Sequence, residues 1–378
     1  MMARDPKIAY VLLRNAHFGP RLASSVELCV RDLVLYSRYA CSTLVACPPV
    51  DEPFAGVEIA TIADVSLGGN VAKALGLARL LRRRGIDIAV VENHLPAAAL
   101  IAATSGARVL LHSHAYETAP RGAAGVGGAR LKVAPLAGLA FVSEDALARF
   151  RDNFPFTRAP MRAIPNGLDM GAWSATEPKD ASILSVGRAL ADKGHIEAVA
   201  AIASALKTRP GWSARFILSA TGREPGTVRK LRDAAEASGG RIRIDANLPH
   251  AEVKAAWEKS AIGLALTKTP EPFGRTALEA LASGAALIGS GLGGLAEVCG
   301  PCAVTVDPND AGGLAAALGA LMDAPDRRAD LARAGRKRVE ALFDIRAVAR
   351  RMDDFIDACV GEGRGEAEAR VAFRSRNR

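Results

Sequence analysis

The chain has 378 residues, 49% of them hydrophobic, and a formal net charge of +9. This length suffices for two domains of ordinary size, and 36 glycines with few aromatics suit helices packed closely on sheets. No apolar run is long enough to span a membrane, and the run 7–13 is too short for a signal peptide, so we expect a cytoplasmic protein.

Strands and helices alternate along the first half of the chain. Apolar runs predict strands at 7–13, 44–47, 57–60, 86–91, 108–112 and 139–142, and helices at 26–39, 69–84 and 96–104. Ser143 begins a further capped helix, whereas the Gly- and Ala-rich segment 120–130 predicts a mobile loop. This alternation predicts a parallel sheet, in which ligands gather at the carboxyl ends of strands. Four polar residues fall at such ends: Glu92, His94, His112 and His114.

The same alternation restarts after residue 167. Strands are predicted at 183–186, 215–219, 242–244, 262–266, 285–289 and 303–306, and helices at 196–206, 226–238, 250–260, 276–282, 314–322 and 326–342. A last helix is predicted at 344–360. The tail 361–378 is charged and poor in large apolar residues, so we expect it to be disordered.

Two carboxylates, Glu271 and Glu279, flank the turn that joins strand 262–266 to helix 276–282. Gly274 stands where that helix begins, and the unpartnered N–H groups of a helix start attract phosphate. Arg188 and Lys193, five residues apart after a strand, offer a planar fork and a compact cation. On spacing alone, a capping loop and surface side chains are the favoured explanation of these residues.

Four motifs occur in one order along the chain. They are Ile-Pro-Asn-Gly-Leu-Asp from Ile164, Val-Gly-Arg…Lys-Gly-His around Arg188, Glu-Pro-Phe-Gly-Arg-Thr-Ala-Leu-Glu from Glu271, and Gly-Gly-Leu-Ala-Glu from Gly293. Together they resemble the motifs of family 4 retaining glycosyltransferases, over about residues 140–345. The resemblance implies the GT-B architecture, an α/β fold of two facing Rossmann-like domains with a deep interdomain cleft. It implies an acceptor-binding domain over 1–167, a nucleotide-sugar-binding domain over 168–343, and a helix over 344–360 that crosses back to the first domain.

The resemblance also implies roles for individual residues. Arg188 and Lys193 would bind the leaving diphosphate, Glu271 the transferred sugar and Glu279 the ribose hydroxyls. Six further positions would complete the donor site: Phe273, Gly274, Arg275, Thr276, Gly293 and Gly294. Backbone contacts to the base would come from 219–223 and 247–249. The family has a histidine near the transferred sugar, for which His112 matches best and His114 second. Its Gly-Gly loop after the first strand is replaced here by Ala23-Ser24-Ser25.

The implied reaction is the retaining transfer of a hexose from a nucleotide diphosphate sugar to a glycan or lipid-linked acceptor, in cell-envelope polysaccharide or lipopolysaccharide biosynthesis. No Asp-x-Asp pair is present, so we expect no metal, and no cofactor besides the donor substrate. Residues 327–351 contain nine Arg or Lys but only three Asp or Glu. This excess of positive charge indicates either a solvated helix face or peripheral contact with anionic lipid at the inner face of the plasma membrane. Without a nucleic-acid-binding motif, we expect no nucleic acid partner.

Two alternatives stay open. One is a sugar-nucleotide epimerase of the same fold. The other is a thiol redox protein, because Cys299-Gly300-Pro301-Cys302 has the letters of the thioredoxin motif. In thioredoxins the motif follows a strand and opens a helix, whereas here it follows a predicted short helix and precedes a strand, so we interpret it as a turn.

Overall fold

The computed structural model describes residues 4–13, 16–21, 23–61, 69–219, 225–236 and 238–376. The chain divides into two units: Met1–Gly167 with Ile345–Arg378, and Leu168–Asp344. Each unit has its own parallel sheet and its own buried core. None of the described helices combines the length and the apolar character needed to cross a membrane.

The first domain contains a seven-stranded sheet in the order β3-β2-β1-β4-β5-β6-β7, paired in parallel throughout. Its strands are β1 (Ile8–Val11), β2 (Thr43–Cys47), β3 (Glu58–Thr61), β4 (Ile88–Glu92), β5 (Arg108–Ser113), β6 (Gly138–Phe141) and β7 (Met161–Ala163). Its connecting helices are α1 (Ser25–Tyr36), α2 (Gly69–Arg84), α3 (Leu95–Ser105), α4 (Gly122–Val133) and α5 (Glu144–Asn153). Alternate residues of the central strands enter two separate apolar clusters, because both faces of a parallel sheet are covered.

Helix α4 corrects the sequence prediction of a mobile loop at 120–130. Its glycines disfavour an isolated helix, and that local signal produced the wrong prediction. In the fold, Ala129 and Val133 are buried in the apolar cluster that also contains Ile101 of α3. Packing of this face therefore outweighs the weak helix propensity of the glycines.

The second domain contains a six-stranded sheet in the order β10-β9-β8-β11-β12-β13, again parallel throughout. Its strands are β8 (Asp180–Arg188), β9 (Ser213–Ser219), β10 (Ile242–Ala246), β11 (Ser260–Ala265), β12 (Ala286–Gly289) and β13 (Ala303–Thr305). Its helices are α6 (His195–Leu206), α7 (Pro225–Glu236), α8 (His250–Lys259), α9 (Arg275–Ala282), α10 (Gly294–Cys299), α11 (Ala311–Asp323) and α12 (Pro325–Leu342). The strand order reverses between β8 and β11, as it does beside β1 in the first domain.

The last helix, α13 (Ile345–Arg376), belongs to the first domain. Its buried residues Val348, Met352 and Phe355 lie in one apolar cluster with Tyr10 of β1. The described helix runs to Arg376, and the disordered tail that the sequence predicts over 361–378 stays a prediction. Alanine, glutamate and arginine favour helix, and extending an existing helix needs no new nucleus.

Candidate active site

Three loops of the second domain are hydrogen-bonded to one another beyond the carboxyl ends of β8, β11 and β12. Lys268 N donates to Asp192 O (2.7 Å), which joins the loop after β11 to the loop after β8. Glu271 N donates to Leu292 O (3.2 Å) and Gly294 N donates to Glu271 O (2.7 Å), which joins it to the loop after β12. The sheet order reverses between β8 and β11, and ligands of doubly wound sheets bind at such a position.

Lys193 and Glu271 form an ion pair across this switch point. Lys193 Nζ lies 3.1 Å from Glu271 Oε2, with side chains 11% and 29% exposed. Lys193 ends a short 3₁₀ turn (Ala191–Lys193) before α6, and Arg188 is exposed at the end of β8. Three of the sequence-predicted residues therefore lie on neighbouring loops. A cation and a carboxylate at one sheet end can bind a phosphate and a hydroxyl group.

Glu279 is buried one turn into α9, and its carboxylate is bonded to two donors. His250 Nε2 and Arg275 Nε each lie 3.1 Å from its Oε1. Burial raises the pKa of Glu279, but His250 and Arg275 outweigh burial and lower it below its usual value. The carboxylate is therefore ionised at neutral pH.

Sequence reasoning missed His250. Its position at the start of α8, directly after 247–249, was the available signal. Arg275, predicted to contact the donor, is itself buried and paired with Glu279.

The turn between β11 and α9 contributes its backbone to the same carboxyl edge of the second sheet. Gly274 has φ of +103°, and a Cβ there would lie 2.6 Å from Leu295 Cδ1, so the turn requires glycine. Gly293 has φ of +67° and ψ of −143°, a conformation that L side chains rarely adopt. The Phe273 ring is buried in an edge contact with Phe343, so only its backbone faces the turn, and Thr276 is half-buried at the helix start.

In the first domain, Glu92, His112 and His114 meet at the ends of β4 and β5. His112 Nδ1 lies 3.2 Å from Glu92 Oε1, and His114 Nε2 lies 3.0 Å from Glu92 Oε2. Burial raises the pKa of Glu92, but the charges and hydrogen bonds of the two histidines outweigh it and lower the pKa to about 2. The fourth strand-end residue, His94, lies outside this cluster and caps α3 by accepting a hydrogen bond from Ala97 N.

The segment that replaces the family's Gly-Gly loop is a helix cap. Ser24 caps α1 by accepting from Val26 N, and Glu27 accepts from Ser24 N (2.8 Å). Residues 14, 15 and 22 of that loop lie outside the described residues, as do 220–223 of the segment predicted to contact the base.

Many of the arginines in the basic segment 327–351 contact the protein itself. Arg328 donates to Leu321 O and Met322 O, Arg336 to Trp173 O and Ala282 O, and Arg338 to Glu297 O and Val298 O. Apart from Trp173 O, these carbonyls lie near the carboxyl ends of α9, α10 and α11, and the contacts explain part of the charge cluster without an external partner.

Cys299 and Cys302 are buried and unbonded. The first ends α10 and the second closes a 3₁₀ turn (Gly300–Cys302) before β13, which confirms the predicted turn. Burial raises the pKa of Cys299 to about 12. A buried thiol that stays protonated at neutral pH does not suit redox chemistry.

Residues 173–338 match the model of a known family, the glycosyl transferases group 1. The matched segment contains the three loops described above. The chain is 34% identical over 199 residues to glycogen synthase of Mycobacterium tuberculosis, which is 50% of this chain and 47% of that protein. It thus spans about half the length of the glycogen synthases it matches. It is 24% identical over 314 residues to a GDP-mannose-dependent monoacylated α-(1-6)-phosphatidylinositol monomannoside mannosyltransferase of Corynebacterium glutamicum, 75% of this chain and 80% of that one.

Solved structures establish the fold over nearly the whole chain. Anabaena HepE in complex with UDP and glucose superposes with a TM-score of 0.74 at 19% identity, covering 94% of this chain and 100% of that one. Sucrose-phosphate synthase of Thermosynechococcus elongatus gives 0.75 at 19% identity, covering 95% and 100%. Two Rossmann-like domains with these neighbours are the GT-B fold, as the sequence predicted.

Proposed function

We propose that the protein is a metal-independent, retaining glycosyltransferase that moves a hexose from a nucleotide diphosphate sugar to a glycan or lipid-linked acceptor. The observation that carries the proposal is the Lys193–Glu271 ion pair at the switch point of a sheet that matches the glycosyl transferases group 1. An exposed Arg188 at the end of β8 and the buried carboxylate of Glu279 in α9 support it.

The proposed chemistry follows from charge. A departing nucleoside diphosphate gains negative charge as the glycosidic bond breaks, and fixed cations stabilise that charge. Arg188 and Lys193 supply two cations, and the start of α9 at Gly274 adds backbone dipoles. When a phosphate oxygen takes the place of Glu271 at Lys193, Glu271 becomes available to accept hydrogen bonds from hydroxyl groups of the sugar. Glu279 accepts from the ribose hydroxyls.

The donor is tested by thermal unfolding with UDP-, GDP- and ADP-sugars. HepE binds UDP, and the Corynebacterium relative depends on GDP-mannose, so these two bases are the first to compare. A ligand that binds only the folded protein adds about 2.7 kcal/mol of stability at a concentration of 100 Kd. We expect one base to raise the melting temperature and Arg188→Ala to reduce that rise. Absence of a shift with all three bases would contradict the proposal.

Product analysis tests the reaction class. With an acceptor present, we expect stoichiometric release of the nucleoside diphosphate and transfer with retained anomeric configuration. An epimerase would instead change the sugar nucleotide without consuming an acceptor. The acceptor class we propose is a cell-envelope glycan or its lipid-linked precursor, reached from the cytoplasmic side. Two relatives support it, one named a glycogen synthase and the other a phosphatidylinositol monomannoside mannosyltransferase.

Peripheral contact with an anionic membrane is the remaining part of the proposal. Exposed cations such as Lys337 of α12 and Arg350 and Arg351 of α13 support it. Co-sedimentation with vesicles containing anionic lipid, compared with neutral vesicles, tests it. Binding should weaken as salt is raised.

A further inference from the structure

The imidazole of His195 lies between the end of β8 and the start of α6. His195 is the first residue of α6 and is only 4% exposed. Its Nε2 lies 3.0 Å from Arg188 O, and its Nδ1 lies 3.4 Å from Ser185 Oγ. The ring also makes an edge contact with Phe216 of β9, with the ring centroids 6.0 Å apart. One side chain therefore joins the helix to two neighbouring strands.

The protonation of this ring follows from its partners. A carbonyl oxygen only accepts hydrogen bonds, so Nε2 carries the proton of the bond to Arg188 O. Burial lowers the pKa of His195 to about 4, outweighing the hydrogen bond to Arg188 O, so the ring is neutral at neutral pH. In a neutral ring with its proton on Nε2, Nδ1 is an acceptor, and the hydroxyl group of Ser185 can donate to it.

This hydrogen bond closes the loop that carries Arg188 and Lys193. The Arg188 side chain is exposed, so its position depends on how its backbone is held. Arg188 O accepts from Leu190 N (2.8 Å) as well as from His195 Nε2. Lys193 N donates to Leu190 O (3.2 Å), and only Gly194 separates Lys193 from His195. The imidazole thus bonds the start of the loop to the helix that follows its end.

Gly187 gives the ring the space that this bond requires. A Cβ at Gly187 would lie 3.3 Å from His195 Nε2 and 3.4 Å from its Cε1, so the ring would have to move by a few tenths of an ångström. Nε2 is also the atom that donates to Arg188 O. A methyl group at Gly187 would therefore act on the hydrogen bond itself.

We propose that His195 is a positioning residue that holds Arg188 and Lys193 in place for the diphosphate of the donor, by donating a hydrogen bond from Nε2 to Arg188 O. Cations that are held in advance stabilise developing charge without reorganisation during the reaction. The identity of the ligand rests on the proposed function. The hydrogen bond does not, and it is measured separately.

The first experiment measures the hydrogen bond in the wild type. ¹⁵N NMR of the histidine rings at neutral pH should show a proton on Nε2 of His195 and none on Nδ1, and His195→Gln assigns the signal by removing it. Absence of a proton on Nε2 would overturn the proposal. This measurement needs neither a ligand nor turnover.

The second experiment tests whether the hydrogen bond affects catalysis. His195→Gln places an amide NH₂ about where Nε2 lies, whereas the side chain in His195→Met has about the same length but no donor. We expect kcat of His195→Met to fall about 10-fold, the rate equivalent of about 1.4 kcal/mol, with a smaller change in the KM of the donor. His195→Gln should recover most of that loss. Equal kcat in the two variants, or an effect on KM alone, would overturn the positioning role.

The matched control is Val199→Ala, because Val199 is buried in α6 one turn beyond His195. It should lower the melting temperature and leave kcat unchanged. An equal fall of kcat in Val199→Ala would show that loosening of α6 explains the effect of His195→Met, and the positioning role would be refuted.

If His195→Met does not fold, Gly187→Ala takes its place and should lower kcat in the same way, because it displaces the ring. Unchanged kcat in Gly187→Ala would then refute the positioning role. A wild type that binds no nucleoside diphosphate and transfers no sugar would refute the proposed function itself. An active wild type whose His195→Met variant keeps its kcat would refute only the role of His195.

Discussion

Lys193 and Glu271 neutralise each other across the switch point of the second sheet, so a phosphate that reaches Lys193 has to replace a carboxylate. In the proposed reaction, that exchange would make the lysine a poor ground-state anchor. Its attraction for the diphosphate would grow as charge develops on the leaving group, whereas the charge of Glu271 stays constant. We therefore expect the pair to favour the transition state over the bound donor, which is the requirement for raising kcat.

We predict that Arg188→Ala and Lys193→Ala each lower kcat by about 10²–10³, the usual effect of removing one fixed stabiliser of developing charge. Their donor KM should change less. Lys193→Arg should also be poor, because a planar fork does not replace a compact ammonium. Steady-state kinetics of the variants, with and without EDTA, provide the measurement.

The matched control is Lys259→Ala, which removes an exposed cation from the end of α8 and should leave kcat unchanged. We expect EDTA to leave the wild type unaffected. EDTA-sensitive turnover, or near-normal kcat in both Arg188→Ala and Lys193→Ala, would rule out the charge mechanism while leaving the fold intact.

Glu279→Gln should weaken nucleotide binding by about 1.5–3 kcal/mol, the range for a hydrogen bond to a charged group. The buried position adds a second effect that the sequence did not indicate. Arg275 is buried and paired with Glu279, so the amide should also lower the free energy of unfolding. Calorimetric titration with the nucleoside diphosphate, beside chemical denaturation, separates the two. Unchanged nucleotide affinity in a folded variant would show that Glu279 does not bind the donor.

The effect of Glu279→Gln on stability should depend on pH. The pKa of Glu279 is lowered in the folded state, so its ionisation stabilises the protein above the usual glutamate pKa of about 4.3 and loses this effect as pH falls through the lowered value. The stability of the wild type should therefore decline more steeply than that of Glu279→Gln below about pH 4.3. Parallel profiles would mean that His250 and Arg275 do not stabilise the ionised form.

Among the elements, those whose signal is local were predictable and those that depend on packing were not. The apolar runs of β4 and β11 are buried from end to end, and such runs can be recognised as strands from the sequence alone. Helix α4 depends on the residues that Ala129 and Val133 contact, and these are distant in the chain, so the local sequence does not reveal the helix. Likewise, the order of Glu271, Gly274 and Glu279 along the chain was enough to predict the turn. The hydrogen bond between His250 and Glu279 was not predictable in this way, because it joins α8 to α9 across 29 positions.

The turn between α10 and β13 carries its own prediction. Cys299→Ala combined with Cys302→Ala should leave turnover intact, because both thiols are buried and burial raises the pKa of Cys299 to about 12. In the native wild type, Ellman's reagent should label the exposed Cys41 quickly and these two slowly. A second fast-reacting thiol, or a reduction potential near the thioredoxin value of about −270 mV, would revive the redox alternative.

At the scale of the whole molecule, one strand order appears twice, and the chain completes the first domain only after finishing the second. Residues 168–344 have a sheet and an apolar core of their own. The first domain takes Val348, Met352 and Phe355 from α13, and each of these side chains is at most 2% exposed. Burying each contributes about 1.5–3 kcal/mol, and domains are stable by only about 5–15 kcal/mol in total. The first 167 residues alone therefore lack a large part of their stability.

This asymmetry predicts how fragments behave. The fragment 168–344 should unfold cooperatively by circular dichroism and bind the nucleoside diphosphate, whereas 1–167 should fail to fold stably. Joining 1–167 to 345–376 through a short Gly/Ser linker should restore cooperative unfolding, because the two ends are adjacent: a Cβ on Gly167 would lie 2.9 Å from Ile345 Cα. In a matched control, the linked fragment carrying Phe355→Ala and Met352→Ala should melt at a lower temperature, since each truncation leaves a cavity that costs about 2–5 kcal/mol. Equal melting temperatures for 1–167 and the linked fragment would show that α13 is dispensable for the first domain.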